Sequence, residues 1–413
     1  MKRVRGYLGT FLFSTGMFAA IYSTPVLAQS LGQNQADAEQ APACRGGDGY
    51  TADFGGRRTF LWRPQWLEAI KNNPTQSAAI IAEADKSLED GPYSVTDKVA
   101  SVPGATPNDY TSIGPYWWPD PTKTDGLPYI RRDGEFNPQR NGPEFDKMRL
   151  RSLGRDLKAL SLAYFLTSDE RYADHAATLI RVWFIDPKTR MAPHMNFAQG
   201  IPGKVSGRAE GIIESSDLST AAESIGLLAQ SPALSRAEHD AVRQWYADFA
   251  AWMTTSEIGK AEQRKRNNHG VFYDFYLAHF AIFAGIEEAA KRTVEGFPEN
   301  RLKVQMDSEG RFHQELTRTR SWHYSNYVVG AAARLATIGE CVEIDLWSAQ
   351  LDDGRSLSDA RNFLSGYARQ PADWPFPERD HKAGSFAKMQ STFAHTDFLF
   401  QRPNSVKGAI KLP

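Results

Sequence analysis

The stretch EFDKMRLRSLGRDLKALSLAYFLTSDERYADHAATLIRVWFID, residues 144–186, decides the fold class. It holds no proline, and its apolar side chains recur three and four positions apart: Leu157, Leu160, Ala163 and Tyr164, then Ala176, Leu179, Ile180 and Trp183. That spacing places each set on one face of a helix. Residues 233–297 and 299–370 are proline-free as well, with Val242, Trp245, Phe249 and Trp252 in the same register. Proline breaks helix interiors, so such windows are helix territory. Pro64 stands where a first helical residue would, ahead of Trp66, Leu67 and Ile70, and residues 78–88 repeat the pattern. Strand-like alternation is scarce, which disfavours a parallel α/β sheet. The expected fold is all-α: helical hairpins forming an incomplete (α/α) toroid or barrel around a central cleft.

Between the helical windows lie two long loops, residues 108–143 and 186–211. Eight of the 23 prolines fall between Pro103 and Pro143. Long loops in a compact domain are usually functional. At the amino end, Lys2, Arg3 and Arg5 precede an apolar run from Tyr7 to Tyr22 and the small-residue ending Val26-Leu27-Ala28. This reads as a secretory signal over residues 1–28, so the protein is expected to be exported, periplasmic or secreted. Residues 29–56 lack apolar periodicity and read as a flexible leader, and residues 57–413 as a single domain.

With 413 residues, 41% of them apolar, and a net charge of -1, the chain is globular and has no global basic field. Nucleic acid held by bulk electrostatics is therefore not expected. Only Cys44 and Cys341 are present, and an exported compartment permits them to pair; two free thiols are the alternative. There is no HExxH, paired CxxC, GxSxG or P-loop, so zinc hydrolase, serine esterase and NTPase chemistry lack a motif. His175, His239 and His279 lie inside helical runs and read as satisfied or solvated helix residues.

Three clusters carry chemistry. In Arg264-Lys265-Arg266-Asn267-Asn268-His269-Gly270, cations and amides precede an aromatic helix, and Asn is a preferred helix cap. His269, Tyr273, Tyr276 and Phe280 share one face of that helix. In residues 315–327, ELTRTRSWHYSNY, Arg320 and Tyr324 share a helical face, whereas Arg318 needs a bend to reach Tyr324. An Arg beside a Tyr hydroxyl stabilises the phenolate. The third cluster is the first long loop, where Tyr116, Trp117, Tyr129 and Arg131 lie among prolines. Aromatic platforms beside arginine forks suit sugar rings that carry carboxylates.

SIGPYWWPDP, GLPYIRRDGE, WFIDPKTRMAP, FAQGIPGKVSGRAEGII, RNNHGVFYD, ELTRTRSWHYS and DLWSAQLDDGRSL, spanning Tyr110 to Leu357 in order, resemble the alginate lyase superfamily, most closely polysaccharide lyase family 38. The resemblance implies an α/α-toroid enzyme that cleaves 1,4-linked polyuronate (alginate, polymannuronate or glucuronan) by β-elimination. It assigns Asn268 and Arg318 to neutralising the uronate carboxylate, and Tyr324 and His269 to acid and base. His194, Gln199, Lys204 and Arg208 of the second loop, with Tyr116, Trp117, Tyr129, Arg131, Tyr273 and His323, are the expected substrate contacts. The partner is an anionic polysaccharide. No metal and no organic cofactor is expected, since acid and base come from the protein and no electrons move. Two other readings compete. One is a toroid glycoside hydrolase using Glu210, Glu214 or Glu315; the other is a binding protein without turnover. Oligomeric state is open.

Overall fold

The apolar three-and-four spacing read from the proline-free windows becomes helix in the structure. The computed structural model describes residues 59–100, 102–401 and 409–413; the expected export signal, the expected leader and Cys44 lie outside them. Cys341 is buried and is not a free thiol. Pro64 opens α1 (Pro64–Lys71), which buries Trp66, Leu67 and Ile70. Asn73 caps α2 (Pro74–Ser87) by accepting from the Gln76 N–H. The deciding stretch forms α3 (Lys147–Thr167) and α4 (Glu170–Ile180), separated by Ser168 in the left-handed region, φ 58°, with Asp169 capping the second helix.

There follow α5 (Ser216–Leu227), α6 (Arg236–Thr255), α7 (Glu257–Gln263), α8 (Asn268–Phe283), α9 (Glu287–Phe297), α10 (Ser321–Cys341), α11 (Leu357–Arg369) and α12 (Phe386–Phe398). Ser235 and Glu238 start α6 with a reciprocal capping box. Every residue of α8 except His269 is buried, because α5, α6, α7, α9 and α10 all pack against it. A helix apolar on all sides belongs in a core. Its first turn is closely packed: a Cβ on Gly270 would stand 2.2 Å from the Lys265 carbonyl oxygen.

The two long loops carry the few strands. β1 (Thr111–Ile113) pairs in parallel with β4 (Phe197–Gly200), in the register Thr111↔Phe197 and Ile113↔Gly200, so the loops are joined to each other. Within the first loop, β2 (Trp117–Trp118) pairs antiparallel with β3 (Ile130–Arg131). Among the described residues no helix is long and apolar enough to cross a membrane.

Glu223 of α5 ties the start of the described chain to this core. Its fully buried carboxylate accepts the N–H groups of Phe60, Leu61 and Trp62 at 3.0, 2.9 and 2.9 Å and meets His279 Nε2 at 2.8 Å. The other ring nitrogen of His279 is 2.9 Å from Ser219, so this histidine is a satisfied core residue. Glu223→Ala would strip an acceptor from three N–H groups at once, and we expect it to destabilise the fold by about 3–5 kcal/mol. The shift of the urea midpoint at constant slope measures this.

Candidate active site

Asn267, not Asn268, caps α8: its side-chain oxygen accepts from the His269 N–H at 3.2 Å. Asn268 is thereby the first helical residue, and it faces inward. Its main-chain N–H and its Nδ2 both donate to Glu315, at 2.6 and 2.8 Å. A carboxylate at a helix N-terminus is favourable, and this one also fixes which way the amide points. Burial raises the Glu315 pKa, and the two bonds from Asn268 oppose that rise. One amide hydrogen of Asn268 remains, while its Oδ1 is buried with no hydrogen-bond partner.

His269 is the one residue of α8 that is not buried. Its Nδ1 lies 2.5 Å from Oε1 of Glu262, a carboxylate 1% exposed at the end of α7. A carboxylate accepts only, so Nδ1 carries the proton and a neutral ring keeps its lone pair on Nε2. This is the orientation a general base needs.

The bend that the sequence requires of Arg318 exists, because α10 begins only at Ser321. The Arg318 guanidinium lies 3.8 Å from the centroid of the Tyr324 ring, and Nη2 donates to Asp133 at 3.1 Å. The Tyr324 and Tyr116 hydroxyls are 2.6 Å apart. Burial raises the Tyr324 pKa well above the ordinary phenol value, Tyr116 adds to the rise, and Arg318 opposes it. Tyr324 therefore rests as a phenol, ready to donate a proton. Tyr116 bonds Tyr324, the Arg318 guanidinium packs on the Tyr324 ring, the Arg318 main-chain N–H donates to the Glu315 carbonyl at 3.3 Å, and the Glu315 carboxylate holds Asn268, the neighbour of His269, so a chain of contacts joins the four expected catalytic residues.

The expected substrate contacts divide. Tyr116 touches Tyr324 directly, and Lys204 Nζ sits 4.7 Å above the Trp117 ring, bringing the two loops together. Arg131 is exposed and pairs with Asp133 at 2.7 Å. Arg208 spends its guanidinium on Gln199, at 2.9 and 2.7 Å, and on Glu210 at 3.4 Å, so it shapes the loop with Gln199. His194 lies 3.1 Å from Asp109, and burial keeps its pKa low despite that carboxylate. His323 stacks on Tyr327 with centroids 5.6 Å apart; burial and the charge of Arg320 hold its pKa at about 4, so its ring is neutral at neutral pH. Two expectations are corrected. Tyr273 is fully buried and donates to the Met253 carbonyl at 3.0 Å, because α8 buries that face too. Tyr129 is 7% exposed and donates to Gln139 at 2.7 Å inside its own loop.

Residue-type reasoning missed Glu262 and Asp133 and cast Glu315 only as a hydrolase acid. The three carboxylates considered for hydrolysis are engaged otherwise. Glu315 holds Asn268, and Glu214 accepts from Tyr110 at 2.9 Å and Ser112 at 2.6 Å. Glu210 is bonded by Lys265 at 2.7 Å. Burial would raise the Glu210 pKa, but Lys265 and Arg208 outweigh it and bring it to about 2. Its folded pKa lies below the unfolded value, so its stabilisation is complete above about pH 4.5 and fades as pH falls towards 2. Glu210→Gln should lose about 1–2 kcal/mol at neutral pH after solvent screening, and the difference from the parent should vanish in acid. Parallel urea titrations at several pH values measure this. Among the described residues no three His, Cys, Asp or Glu side chains cluster as metal ligands.

The sequence profile of the alginate lyase family matches residues 94–374, a span that contains the whole Tyr116-to-His269 chain of contacts. The chain belongs to the alginate lyase family. A solved alginate lyase from Bacteroides ovatus is 32% identical and superposes with a TM-score of 0.79, over 83% of this chain and 91% of its own. Alginate lyase A1-III from Sphingomonas species A1 is 18% identical with a TM-score of 0.49, covering 76% of this chain and 85% of its own. No curated protein sequence matches. As an alginate lyase family member the protein is a polysaccharide lyase, and its mostly helical fold is the one its solved relative has.

Proposed function

We propose that this lyase is exported by residues 1–28 and depolymerises 1,4-linked polyuronate, alginate foremost and glucuronan as a further substrate. In this reading residues 57–413 form one α/α-toroid domain with the anionic chain lying across the Tyr324 face. The observation that carries the reading is the placement of the Arg318 guanidinium 3.8 Å from the Tyr324 ring, with the Asn268 amide fixed by Glu315, whose main-chain carbonyl accepts from the Arg318 N–H.

A uronate C5 proton is weakly acidic while the neighbouring carboxylate is charged. Arg318 and the remaining amide hydrogen of Asn268 neutralise that carboxylate and hold the enolate-like charge that develops. A base removes the C5 proton, and the C–H electrons form the C4–C5 double bond. The C4–O4 bond breaks, and Tyr324 protonates the departing oxygen. Each cut yields one unsaturated uronate end and one new reducing end.

Mannuronate and guluronate differ in configuration at C5, so their protons leave from opposite faces. Where proton and leaving oxygen share a face, Tyr324 serves as base from its deprotonated form, which the Arg318 cation favours, and then as acid. His269 Nε2 is the base from the other. His269→Gln should therefore reduce turnover of guluronate blocks by about 10²–10⁴-fold and spare mannuronate blocks. Mass spectrometry of the products checks the reading: oligouronates lighter by one water than hydrolysis products support elimination, and fully hydrated products sink it.

A further inference from the structure

Beside the Tyr116–Tyr324 pair, α5, α8, α10 and α12 enclose a cavity of about 450 Å³. Its α10 wall is the stripe His323, Tyr327, Gly330 and Arg334, spaced four, three and four residues apart and so on one helical face. His323, which lines the cavity, lies with its ring centroid 5.2 Å from that of Tyr324, which joins the cavity to the reacting groups. Tyr327 and Phe272 lie with ring centroids 4.1 Å apart and form an aromatic wall.

Among the described residues no Asp or Glu side chain lines this cavity, and Pro413, which also lines it, is engaged through its carbonyl oxygen by Trp62 Nε1 at 3.3 Å. Arg334 donates Nη1 to the Gly330 carbonyl of its own helix at 3.0 Å, and the groups that act on its charge are the Tyr276 and Tyr327 phenols. Lys158 of α3 stands near enough that burial and the Arg334 charge bring its pKa to about 8. On the opposite wall His395 is held at about 4 by burial and by Arg334, Lys411 and Lys158. Glu223, the carboxylate that acts on Lys158, is already occupied by three N–H groups and His279. A cleft lined by one sign of charge draws in the opposite ion, and a half-buried guanidinium without a carboxylate is incomplete until one arrives.

We propose that this cavity is a uronate-reading subsite in which Arg334 receives the carboxylate of a sugar unit several positions from the bond cut at Tyr324. The inference rests on the polyuronate reading above. Ten residues along α10 separate Tyr324 from Arg334, about 15 Å of helix, so the subsite is reached only by oligomers of several units. The Tyr327 and Phe272 rings, tilted against each other, supply the apolar wall for the intervening sugars, and Arg334 supplies the fork that matches a carboxylate. Arg334 is thus a specificity residue for chain length and charge, not a group that moves protons.

The test is kcat/KM on purified oligomannuronates of increasing length for the parent, Arg334→Gln and Thr220→Glu. Thr220 lines the cavity from α5, and a carboxylate there occupies Arg334 from within without removing it. The parent should gain kcat/KM once the oligomer is long enough to reach Arg334, and both variants should lose that gain, by about tenfold, while short oligomers are unaffected. Calorimetry in a Tyr324→Phe background reads binding apart from turnover. There the added Arg334→Gln should weaken long oligomers by about tenfold and leave the shortest unchanged. An unchanged length dependence in both variants, or an equal loss at every length, would overturn the subsite. Should the parent cut no polyuronate, the lyase reading fails separately, and the calorimetric comparison of oligouronate binding with and without Arg334 still decides the cavity.

Discussion

Tyr324→Phe should lower turnover of polymannuronate by about 10³-fold and leave the far-ultraviolet circular dichroism and melting temperature close to the parent's. The phenol is the acid for the departing O4, and among the described residues the hydroxyl bonded to it is that of Tyr116. The substitution removes one oxygen and keeps the ring, so the packing of Arg318 over it at 3.8 Å persists. Bound oligouronate should still be detected by calorimetry, because the arginines that meet carboxylates are untouched. The combination of lost turnover and retained binding distinguishes a proton-transfer residue from a structural one. If Tyr116 were the acid instead, Tyr116→Phe would carry the larger loss; here it should be the smaller, since Tyr116 reaches the reaction only through Tyr324.

Arg318→Ala should reduce kcat by about 10²–10³-fold on every substrate, the usual effect of removing one donor from a developing oxyanion. It also has a signature in pH. Burial and Tyr116 push the Tyr324 pKa up, and the Arg318 cation pulls it back. Removing that cation raises it further, so less phenolate is present at any given pH. Where Tyr324 acts as base, the rising limb of the kcat profile must therefore move to higher pH in Arg318→Ala. Arg318→Lys restores the charge but not the planar fork, so it should return the limb towards the parent position while recovering little of the rate. Asp133 is the control: it bonds Arg318 from the first loop, and Asp133→Asn should shift the profile less, because the guanidinium stays.

Helices were legible where the physics is local. Proline-free windows with three-and-four spacing marked α3, α4 and α6, and the amides before the aromatic run Val271–Phe283 marked α8, which begins three residues earlier, at Asn268. The requirement that Arg318 bend to meet Tyr324 also follows from helical periodicity, and the break before Ser321 meets it. What stayed hidden was long-range. Asp133 bonds Arg318 across 185 positions, and β1 joins β4 through two loops whose strands are three and four residues long. Glu262 is seven residues from His269, but a turn between α7 and α8 brings them together, and no periodic rule covers that turn. Tyr273 was misplaced because one-face arguments assume a helix with a wet side, and α8 has none apart from His269. Tyr129 was misplaced because the fold of its loop supplies a partner, Gln139, that composition does not reveal.

The measurement that bears most directly on elimination at this site is the rise in enol-ether ultraviolet absorbance, recorded beside reducing-end titration, for the purified protein on polymannuronate, polyguluronate, glucuronan and hyaluronan. The 1,4-linked polyuronates should give double bonds and reducing ends in equal numbers, with polymannuronate among those cut. Reducing ends without absorbance, or no reaction with any of the four, would contradict a lyase built on Tyr324, Arg318, Asn268 and His269.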